Sequence, residues 1–525
     1  MATAWIFSAL LRVPKYYLNR AWRSALSWGT LSIFILCFSP LLGQLELCTN
    51  SVKNDRSLEK VRAVTAKNGT LHVIEERQFE TLNWIRYSLD GLQQSGQSLI
   101  PYPSHTSVLE HFFMSDDTLT IVYSHWNILL GRTEVFAGRY LNNGNLVDSL
   151  HQLHFEIQNS KPRKSGLQCQ LSPDSTKFIL FFDSEVERKQ SEGIHFRCFD
   201  RSLKMLWDKD LLLPPAPEIA QVHHYLLDNN GGVYLMSGRN PIKSFSDWQR
   251  PQGGMYVAYY FNPFTKRLKQ YDIGLKDKQV LSTEFALNDK QEVVIAGYYS
   301  NNFKFRVSGT LLIILNANGG SIKKAAYTPF SEAFITTMEA DGNETLEDFY
   351  LDHLHVGDSG RIVLVGEQYY VSRFVSTDPT TGRQMVEYRY NFDDIMMHCL
   401  DTAAEHLWSI RVPKRQFTNS PTDDHFSYAF AGSTNGYSVV FNDDEASTER
   451  LLAGEDTQAT LWTGSKNSVT TLCYVTNSGQ YNRTTLTDNS TERLLFNPLM
   501  TNSGPVGHSV FGFSDNRSYK FCRRR

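Results

Sequence analysis

The sequence lacks the short motifs by which many enzymes and metalloproteins are recognised. It contains no CxxC or HExxH arrangement, no phosphate-binding P-loop and no Asp-box of the sialidase kind. The segment Gly507 to Gly512 departs by one residue from a nucleophile elbow, and it belongs to a predicted strand rather than a strand-to-helix turn. No catalytic residue is therefore predicted from a linear motif, although a site assembled from distant residues would escape such a search.

The chain also lacks a concentration of positive charge. Its 52 Lys and Arg residues are balanced by 55 Asp and Glu residues, which gives a net charge of −3. Apart from the terminal Arg523, Arg524 and Arg525, the basic residues of the main body are scattered. Binding to nucleic acid needs a basic stripe along the phosphate backbone, so nucleic acid is not an expected partner.

No hydrophobic run is long enough to be an ordinary membrane-spanning helix. The apolar stretch from Trp28 to Gly43 has about 16 residues, against the roughly 20 that a bilayer requires. Four basic residues and no acidic ones precede it, which is typical of a secretory signal peptide covering residues 1–43. We expect cleavage before Gln44 and a secreted, periplasmic or cell-envelope location. An uncleaved segment would instead be a membrane anchor.

What the sequence does contain is a repeat. Seven times a polar turn precedes an apolar, β-branched run, and a second turn follows before the next unit begins. The first turns begin at Lys67, Ser115, Ser172, Asp228, Asn288, Asp358 and Ser433, and the second turns begin at Asp90, Asn142, Asp200, Asn262, Asn316, Asp401 and Asn477. Each unit therefore predicts two hairpins in series, which together form four antiparallel strands.

Seven such units predict an all-β fold, a β-propeller of seven blades that occupies residues 44–525 as one domain. Continuous apolar runs such as Leu311 to Leu315 support stacked blades, because both faces of such a strand are buried. The C-terminal hairpin around Asp515 either completes the ring with the residues after Gln44 or forms most of an eighth blade. We favour seven blades. The segments 240–254, 372–382 and 443–458 are predicted to be surface insertions.

Three sequence features carry a resemblance to known propellers. Ser172-Pro173-Asp174 resembles the SPD turn of WD-repeat and TolB-like blades, and Asp200 and Asp401 each precede a Trp by seven residues, as in pyrroloquinoline-quinone-type repeats. The Thr-Gly pair of the latter motif is absent, so cofactor binding does not carry over and no cofactor is predicted. The segment Val293 to Ile322 resembles the uncharacterised exported propellers of Bacteroidota-type bacteria. This resemblance implies the architecture alone.

Six cysteines follow Gln44, which in an exported protein would be consistent with disulfide bonds. The predicted strand order argues against one candidate pair, because a strand lies between Cys169 and Cys198. Their separation would be about 9–10 Å, beyond the roughly 7 Å that a bridge allows. Cys198 and Cys399 occupy matching places in their units, so we expect both to be buried free thiols.

Two groups of residues are candidate metal ligands. His353 and His355 should point to the same face of a strand and could bind one metal ion, although structural histidines would show the same pattern. Four oxygen-bearing residues, Asn442, Asp443, Asp444 and Glu445, follow an apolar run and could bind Ca²⁺, although a solvated loop would explain them equally well.

The sequence leaves two functions open. The first is a non-catalytic exported scaffold that binds a protein or a glycan through loops on one rim of the ring. The second is a hydrolase or lyase of polysaccharides, whose carboxylates converge on the central channel from different blades. Carboxylates or histidines facing one another at the channel mouth would favour the enzyme. A channel lined by apolar and small residues would favour the scaffold.

Overall fold

The fold is a closed β-propeller, as the sequence predicts. A computed structural model of the chain describes residues 47–49, 52–53, 58–65, 69–77, 81–104, 107–115, 117–158, 167–184, 193–213, 221–238, 256–274, 278–301, 306–339, 346–357, 359–377, 380, 382–454, 458–465, 468–503, 509–515 and 518–523. The predicted signal peptide and the insertion 240–254 lie outside the described residues. Almost all regular structure in the described part is β-strand.

The seven predicted units form seven sheets of four antiparallel strands, with the strands of each sheet in chain order. Blade 1 contains β3 (Leu58–Thr65), β4 (Thr70–Arg77), β5 (Thr81–Ser88) and β6 (Gln94–Pro101). Blade 2 contains β7 (Ser107–Ser115), β8 (Thr118–Asn127), β9 (Arg132–Tyr140) and β10 (His151–Gln158). Blade 3 contains β11 (Gln168–Leu171), β12 (Lys177–Ser184), β13 (Gly193–Asp200) and β14 (Met205–Leu212).

The remaining four-stranded units follow the same order. Blade 4 contains β15 (Gln221–Leu227), β16 (Val233–Gly238), β17 (Val257–Asn262) and β18 (Arg267–Asp272), and blade 5 contains β19 (Gln279–Leu287), β20 (Val293–Ser300), β21 (Gly309–Leu315) and β22 (Ile322–Pro329). Blade 6 contains β23 (Phe349–Val356), β24 (Ile362–Thr377), β25 (Gln384–Leu400) and β26 (His406–Val412), with β27 (Gln416–Thr418) paired to β25. Blade 7 contains β28 (Ala429–Ser433), β29 (Gly436–Asp443), β30 (Val469–Thr476) and β31 (Tyr481–Asp488).

A further sheet, the closing sheet, joins the two ends of the chain. It contains β32 (Leu495–Ser503), β33 (Ser509–Ser514) and β34 (Ser518–Arg523), and β34 also pairs with β1 (Leu47–Cys48) and β2 (Val52–Lys53). Both roles considered for the C-terminal strands are therefore combined, because they form a sheet beyond the seven units and they meet the N-terminal strands in it.

A disulfide bond between Cys48 and Cys522 links β1 to β34. This bond was not predicted from the sequence, because its two cysteines lie 474 positions apart and belong to no common unit. The expectation for the other cysteines is confirmed: Cys198 and Cys399 are buried free thiols, and β12 separates Cys169 from Cys198. A disulfide favours an oxidising compartment. Among the described residues, no helix is long and apolar enough to cross a membrane.

The hydrophobic core lies between the blades. Eight buried apolar clusters of the described residues each combine side chains of two neighbouring sheets, and the series returns to its starting point. Representative members are Ile74 with Ile121, Val135 with Phe178, Ile179 with Leu235, Met236 with Ile295, Leu312 with Leu364, Val363 with Phe441, Val440 with Phe511, and Phe521 with Val73. This burial on both faces explains the continuous apolar runs.

The two predicted Asp-to-Trp motifs pack one blade on the next. The carboxylate of Asp401 accepts hydrogen bonds from two backbone N–H groups of its own turn, and Asp200 does the same. Trp408 then packs on Tyr437 of blade 7, and Trp207 packs on Phe261 of blade 4. Next to Trp408 lies Gly479, whose φ of +82° and close approach leave no room for a Cβ atom.

Three short helices interrupt the strands in the described part: α1 (Glu332–Glu339), α2 (Glu445–Ala453) and α3 (Asn489–Glu492). Helix α2 corrects the expectation of a solvated insertion after Asp443. Asp444 is its N-cap and accepts a hydrogen bond from the Ser447 N–H (2.9 Å), while the Thr448 hydroxyl donates to Asp443 (2.8 Å). Ser447 and Thr448 are buried, so this helix is part of the blade 7 packing.

The two ends of the ring differ in their connections. Each blade is antiparallel, so the turn between its first and second strands and the turn between its third and fourth strands lie at the same end of the ring. These are the first and second turns of the sequence repeat; they are mostly short, and we call their side the tight-turn end. The turn between the second and third strands and the link to the next blade lie at the other end. The four longest connections, 239–256, 330–348, 413–428 and 444–468, all lie on the opposite side, the loop-bearing end.

Candidate functional site

The inner strands of the blades surround the axis of the ring. The first strand of each blade contacts the first strand of a neighbour, as β15 does with β19 and β19 with β23. Five of these strands have a register shift, a β-bulge, where one extra residue is inserted relative to the next strand. The bulged residues are Glu59, Glu110, His223, Leu281 and Asp352. Such bulges re-aim side chains, and they are frequent next to active sites.

Asp352 is the bulged residue of β23, and its side chain is exposed to solvent. Its Oδ2 atom accepts hydrogen bonds from the Tyr428 hydroxyl (3.0 Å) and from the Glu367 backbone N–H (3.1 Å). These donors come from the start of blade 7 and from β24, so the carboxyl group is held from two sides. Although the residue reaches water, many protein atoms crowd the carboxyl group, and this partial desolvation together with the charge of Glu367 raises the pKa of Asp352 above its usual range.

A buried ion pair lies behind Asp352. The Lys414 ammonium is 2.8 Å from Glu367 Oε1, and both side chains are almost completely buried. Lys414 also donates to the Phe392 carbonyl (2.6 Å) and to Gln416 Oε1 (3.2 Å), while the Ser427 hydroxyl donates to Glu367 Oε2 (2.7 Å). A buried charge requires such partners. The positive charge of Lys414 is therefore occupied within the protein.

Glu284 of β19 brings a second carboxyl group toward Asp352. Its Oε1 atom is 3.3 Å from Nε2 of His224, which lies on β15 in blade 4. Desolvation and the charge of Asp352 raise the pKa of Glu284 to about 8. A carboxyl group with this pKa is mostly protonated at pH 7, so Glu284 can donate a hydrogen bond as well as accept one.

Tyr298 of β20 completes this set of side chains, which we call the axial cluster: Glu284, Tyr298, Asp352, Glu367, Lys414 and Tyr428. Tyr298 is fully buried, and its hydroxyl has no hydrogen-bond partner among the described residues. Desolvation and the charge of Asp352 raise the pKa of this phenol, which places it close to the carboxyl group. A side chain at Gly366 would lie about 2.8 Å from the phenol oxygen, so a glycine is needed for this approach.

The two candidate histidines lie beside this cluster but face blade 7. Both rings contact Phe430, which confirms that they share a face of β23. His353 also meets Tyr428 edge-on, and burial lowers the pKa of His353 to about 4. His355 packs against Tyr437. The structure places both rings in an aromatic layer between blades, and no group of three or more His, Cys, Asp or Glu side chains with metal-binding geometry occurs in the described part.

The four candidate Ca²⁺ ligands do not converge on one point. Asn442 bonds to the backbone of Phe496 and to Asn489, Asp443 forms a buried ion pair with Arg483, and Asp444 caps α2. Glu445 lies in the first turn of α2. Three of the four side chains are thus engaged by protein groups. Metal binding by these residues, or by the histidine pair, stays a prediction.

The axial cluster was not predicted from the sequence. His353 and His355 stand out beside Asp352 because their spacing is a recognisable pattern, whereas Asp352 itself belongs to no motif. Glu284, Glu367 and Lys414 come from blades 5 and 6 and the following connection, and they share no motif. The available signal was the equivalent position of acidic residues near the start of inner strands, as at Glu110 and Asp352, which becomes visible once the strands are aligned by blade.

Comparisons with known proteins show no family for this chain. No family model matches the chain, and no curated protein matches its sequence. Among solved structures, the chain is similar to the polysaccharide lyase Uly1 (9% identity, TM-score 0.39, covering 89% of this chain and 99% of that one). It is also similar to the propeller domain of the Trilobed protease from Pyrococcus furiosus (9% identity, TM-score 0.32, covering 70% and 100%).

A prolyl endopeptidase structure also matches (9% identity, TM-score 0.35). The match covers 73% of this chain and 54% of that protein, so this chain spans about half of its length. At these scores the likenesses carry no argument about function, and they indicate no taxon. The propeller assignment rests on the order of the sheets.

Proposed function

We propose that this protein is an exported scaffold that binds a protein or a glycan at the loop-bearing end of its ring. One observation carries the proposal: the four longest connections all lie at that end. Loops on a rigid framework are where propellers and similar folds hold their ligands. The disulfide between Cys48 and Cys522 supports export, because such bonds persist in oxidising compartments.

The position of the N-terminal strands supports the same assignment. Leu47 pairs with Arg523, and Val52 pairs with Tyr519, so the chain enters the closing sheet from the tight-turn end. If residues 1–43 remain attached as a membrane anchor, the loop-bearing end faces away from the membrane. If they are removed, both ends are accessible. In either case the proposed binding surface is free.

A bulky adduct placed at either end tests this proposal. Asp424 is exposed in the connection 413–428 at the loop-bearing end, and Asp289 is exposed in a short turn at the tight-turn end. A large maleimide polymer coupled to the Asp424→Cys variant should block binding to an array of glycans and cell-surface proteins. The same polymer on Asp289→Cys should leave binding unchanged. Equal binding by both adducts would contradict the proposal.

A second function, cleavage of a polysaccharide, is favoured by the axial cluster. Carboxyl groups from blades 5 and 6 approach one another near the axis, and Glu284 keeps its proton near neutral pH. An acid with a raised pKa is what protonation of a glycosidic oxygen requires. Release of reducing ends, or of products with the absorbance of a new double bond, would establish a hydrolase or a lyase. A Glu284→Ala variant should then be inactive.

A further inference from the structure

We propose that the carboxyl groups of Asp352 and Glu284 form the hydrogen-bonding site for a neutral, hydroxyl-rich glycan that enters along the axis from the loop-bearing end. This inference rests on the proposed function and names the ligand class and the residues that contact it. Asp352 is the fourth of the eight residues of β23, so it lies about halfway along this inner strand, between the two ends of the ring. The residue is an exposed position of β23, and its carboxyl group is held by the Tyr428 hydroxyl and by the Glu367 N–H.

Tyr298 is an independent sign that the cluster serves a ligand. Buried hydroxyl groups are almost always hydrogen-bonded, because an unpaired one costs about 1–3 kcal/mol. The Tyr298 hydroxyl is fully buried beside Asp352 and has no partner among the described residues. The other polar groups of the cluster do have partners. Within the axial cluster, the Tyr298 hydroxyl is the donor left over beside Asp352, and a ligand hydroxyl at this carboxyl group would add a polar neighbour there.

The charges around the pair favour a neutral ligand. Glu284 faces His224, Tyr256 and Asp352, and Asp352 faces Glu367, Lys414, Tyr298 and Tyr428. Lys414 is already paired with Glu367, so no full positive charge of this group is available to an anionic sugar. A protonated carboxyl group both donates and accepts hydrogen bonds, as a sugar hydroxyl does. The pair therefore matches a polyol better than a uronate.

The test uses the full chain and two sets of probes: neutral hexasaccharides of gluco-, manno-, xylo- and galacto-type, and uronic-acid hexasaccharides. Affinity for the best neutral probe is measured by calorimetry at pH 6 and at pH 9. Asp352→Ala and Glu284→Ala should each weaken binding about tenfold or more, the loss of one good hydrogen bond to a desolvated group. Glu284→Gln keeps an N–H donor, so it should bind within about threefold of the original protein at pH 6.

The pH dependence gives a readout that a merely structural role would not move. Binding by the original protein should weaken between pH 6 and pH 9, because Glu284 loses its proton over this range, whereas Glu284→Gln should bind equally at both. Asp289→Asn removes a carboxyl group at the tight-turn end and serves as the control. An infrared band of a protonated carboxylic acid, present at pH 7 and absent in Glu284→Gln, checks the donor without any ligand.

The outcomes separate this inference from the function on which it rests. If the Asp424 adduct blocks glycan binding but both alanine variants bind normally, the scaffold stands and the axial site is refuted. Tighter binding of uronic-acid probes would likewise overturn it. If the adduct has no effect, the proposed function fails, while the infrared band still reports on Glu284. Loss of affinity counts only for variants whose melting temperature matches that of Asp289→Asn.

Discussion

The tight-turn end and the loop-bearing end of the ring differ in how their structure is encoded. At the tight-turn end, short segments rich in Asp, Asn and Gly close each hairpin by themselves, as Asp401 does with the N–H groups of its own turn. At the loop-bearing end, polar groups find partners in other blades, as Asp352 does with Tyr428, 76 residues away. Local chemistry closes the turns at one end, with added bonds between neighbouring turns such as the Asn229 N–H to Gln291 Oε1 (3.0 Å), whereas long-range packing fixes the other end.

The closing sheet belongs to the second kind, because its parts come from both ends of the chain. Tyr519 donates to Glu75 of blade 1 (2.5 Å), and Arg523 donates to the Leu89 carbonyl (2.5 Å). The backbone of Thr49 donates to the Phe521 carbonyl (2.8 Å). None of these pairs can form until the ring is complete. The stability of the whole ring should therefore depend on contacts that no single repeat contains.

Removing the C-terminal hairpin should have the largest effect. Deletion of residues 509–525 takes away β33 and β34, which leaves β1 and β2 unpaired and exposes the cluster around Leu71 and Val73 to water. We expect loss of the cooperative thermal transition or a fall of many degrees, because an open ring has two exposed packing faces. Deletion of residues 378–381, at the tip of the β24–β25 hairpin, is the control and should melt like the full chain. A wild-type melt for the 509–525 deletion would mean that the ring closes elsewhere.

Deletion of residues 445–456 should be the next most harmful change. The segment reads as a polar surface loop, but it contains Ser447 and Thr448, which are buried and bonded to the Thr460 N–H and to Asp443. Loss of a hydrogen bond to a charged buried group costs about 1.5–3 kcal/mol, and the lost backbone partner adds about 1 kcal/mol. Urea unfolding should show a decrease of roughly that sum, whereas Glu449→Gln on the exposed side of the same helix should change little. A deletion that unfolds at the original urea concentration would show that the helix is dispensable.

Breaking the disulfide should cost less than the C-terminal deletion and at most about as much as the deletion of residues 445–456. Cys522→Ser removes the covalent link between β34 and β1 but leaves their hydrogen bonds in place. Removal of a native disulfide typically costs about 2–4 kcal/mol, chiefly because the unfolded chain gains freedom. The loss should appear in urea unfolding under oxidising conditions and should vanish when the original protein is measured with a reductant. Cys198→Ser removes a buried free thiol and keeps the disulfide, so it is the matched control: like the original protein it should lose stability when reductant is added, whereas Cys522→Ser should not change.

These comparisons also show how far the sequence could lead. The seven units and their turns were predicted, because each depends on residues close together in the chain. The disulfide, helix α2 and the axial cluster were not. Cys48 and Cys522 meet only because the ring closes, and Glu284 and Asp352 approach only because blades 5 and 6 are neighbours. Their burial depends on both sheets and leaves no periodic pattern in either segment.

The smallest predicted effect concerns Glu284 and the pH dependence of stability. The pKa of Glu284 is raised to about 8 in the folded protein, against an ordinary value of 4.5 in the unfolded chain. The folded state therefore binds a proton more strongly, so its extra stability is complete below about pH 4.5 and is lost as the pH rises through about 8. Glu284→Gln has no proton to lose. Between pH 5 and pH 8.5 the original protein should therefore lose on the order of 2 kcal/mol more unfolding free energy than this variant. This value is smaller than the full pKa shift of Glu284 would give, because water reaches part of its side chain. Urea unfolding of both proteins at the two pH values measures this difference, with Asp289→Asn at the tight-turn end as the control that should follow the original protein. If the difference in unfolding free energy between Glu284→Gln and the original protein is the same at about pH 5 and about pH 8.5, Glu284 is not protonated in the folded protein. The carboxyl groups near the axis would then be charged, like those at the tight-turn end.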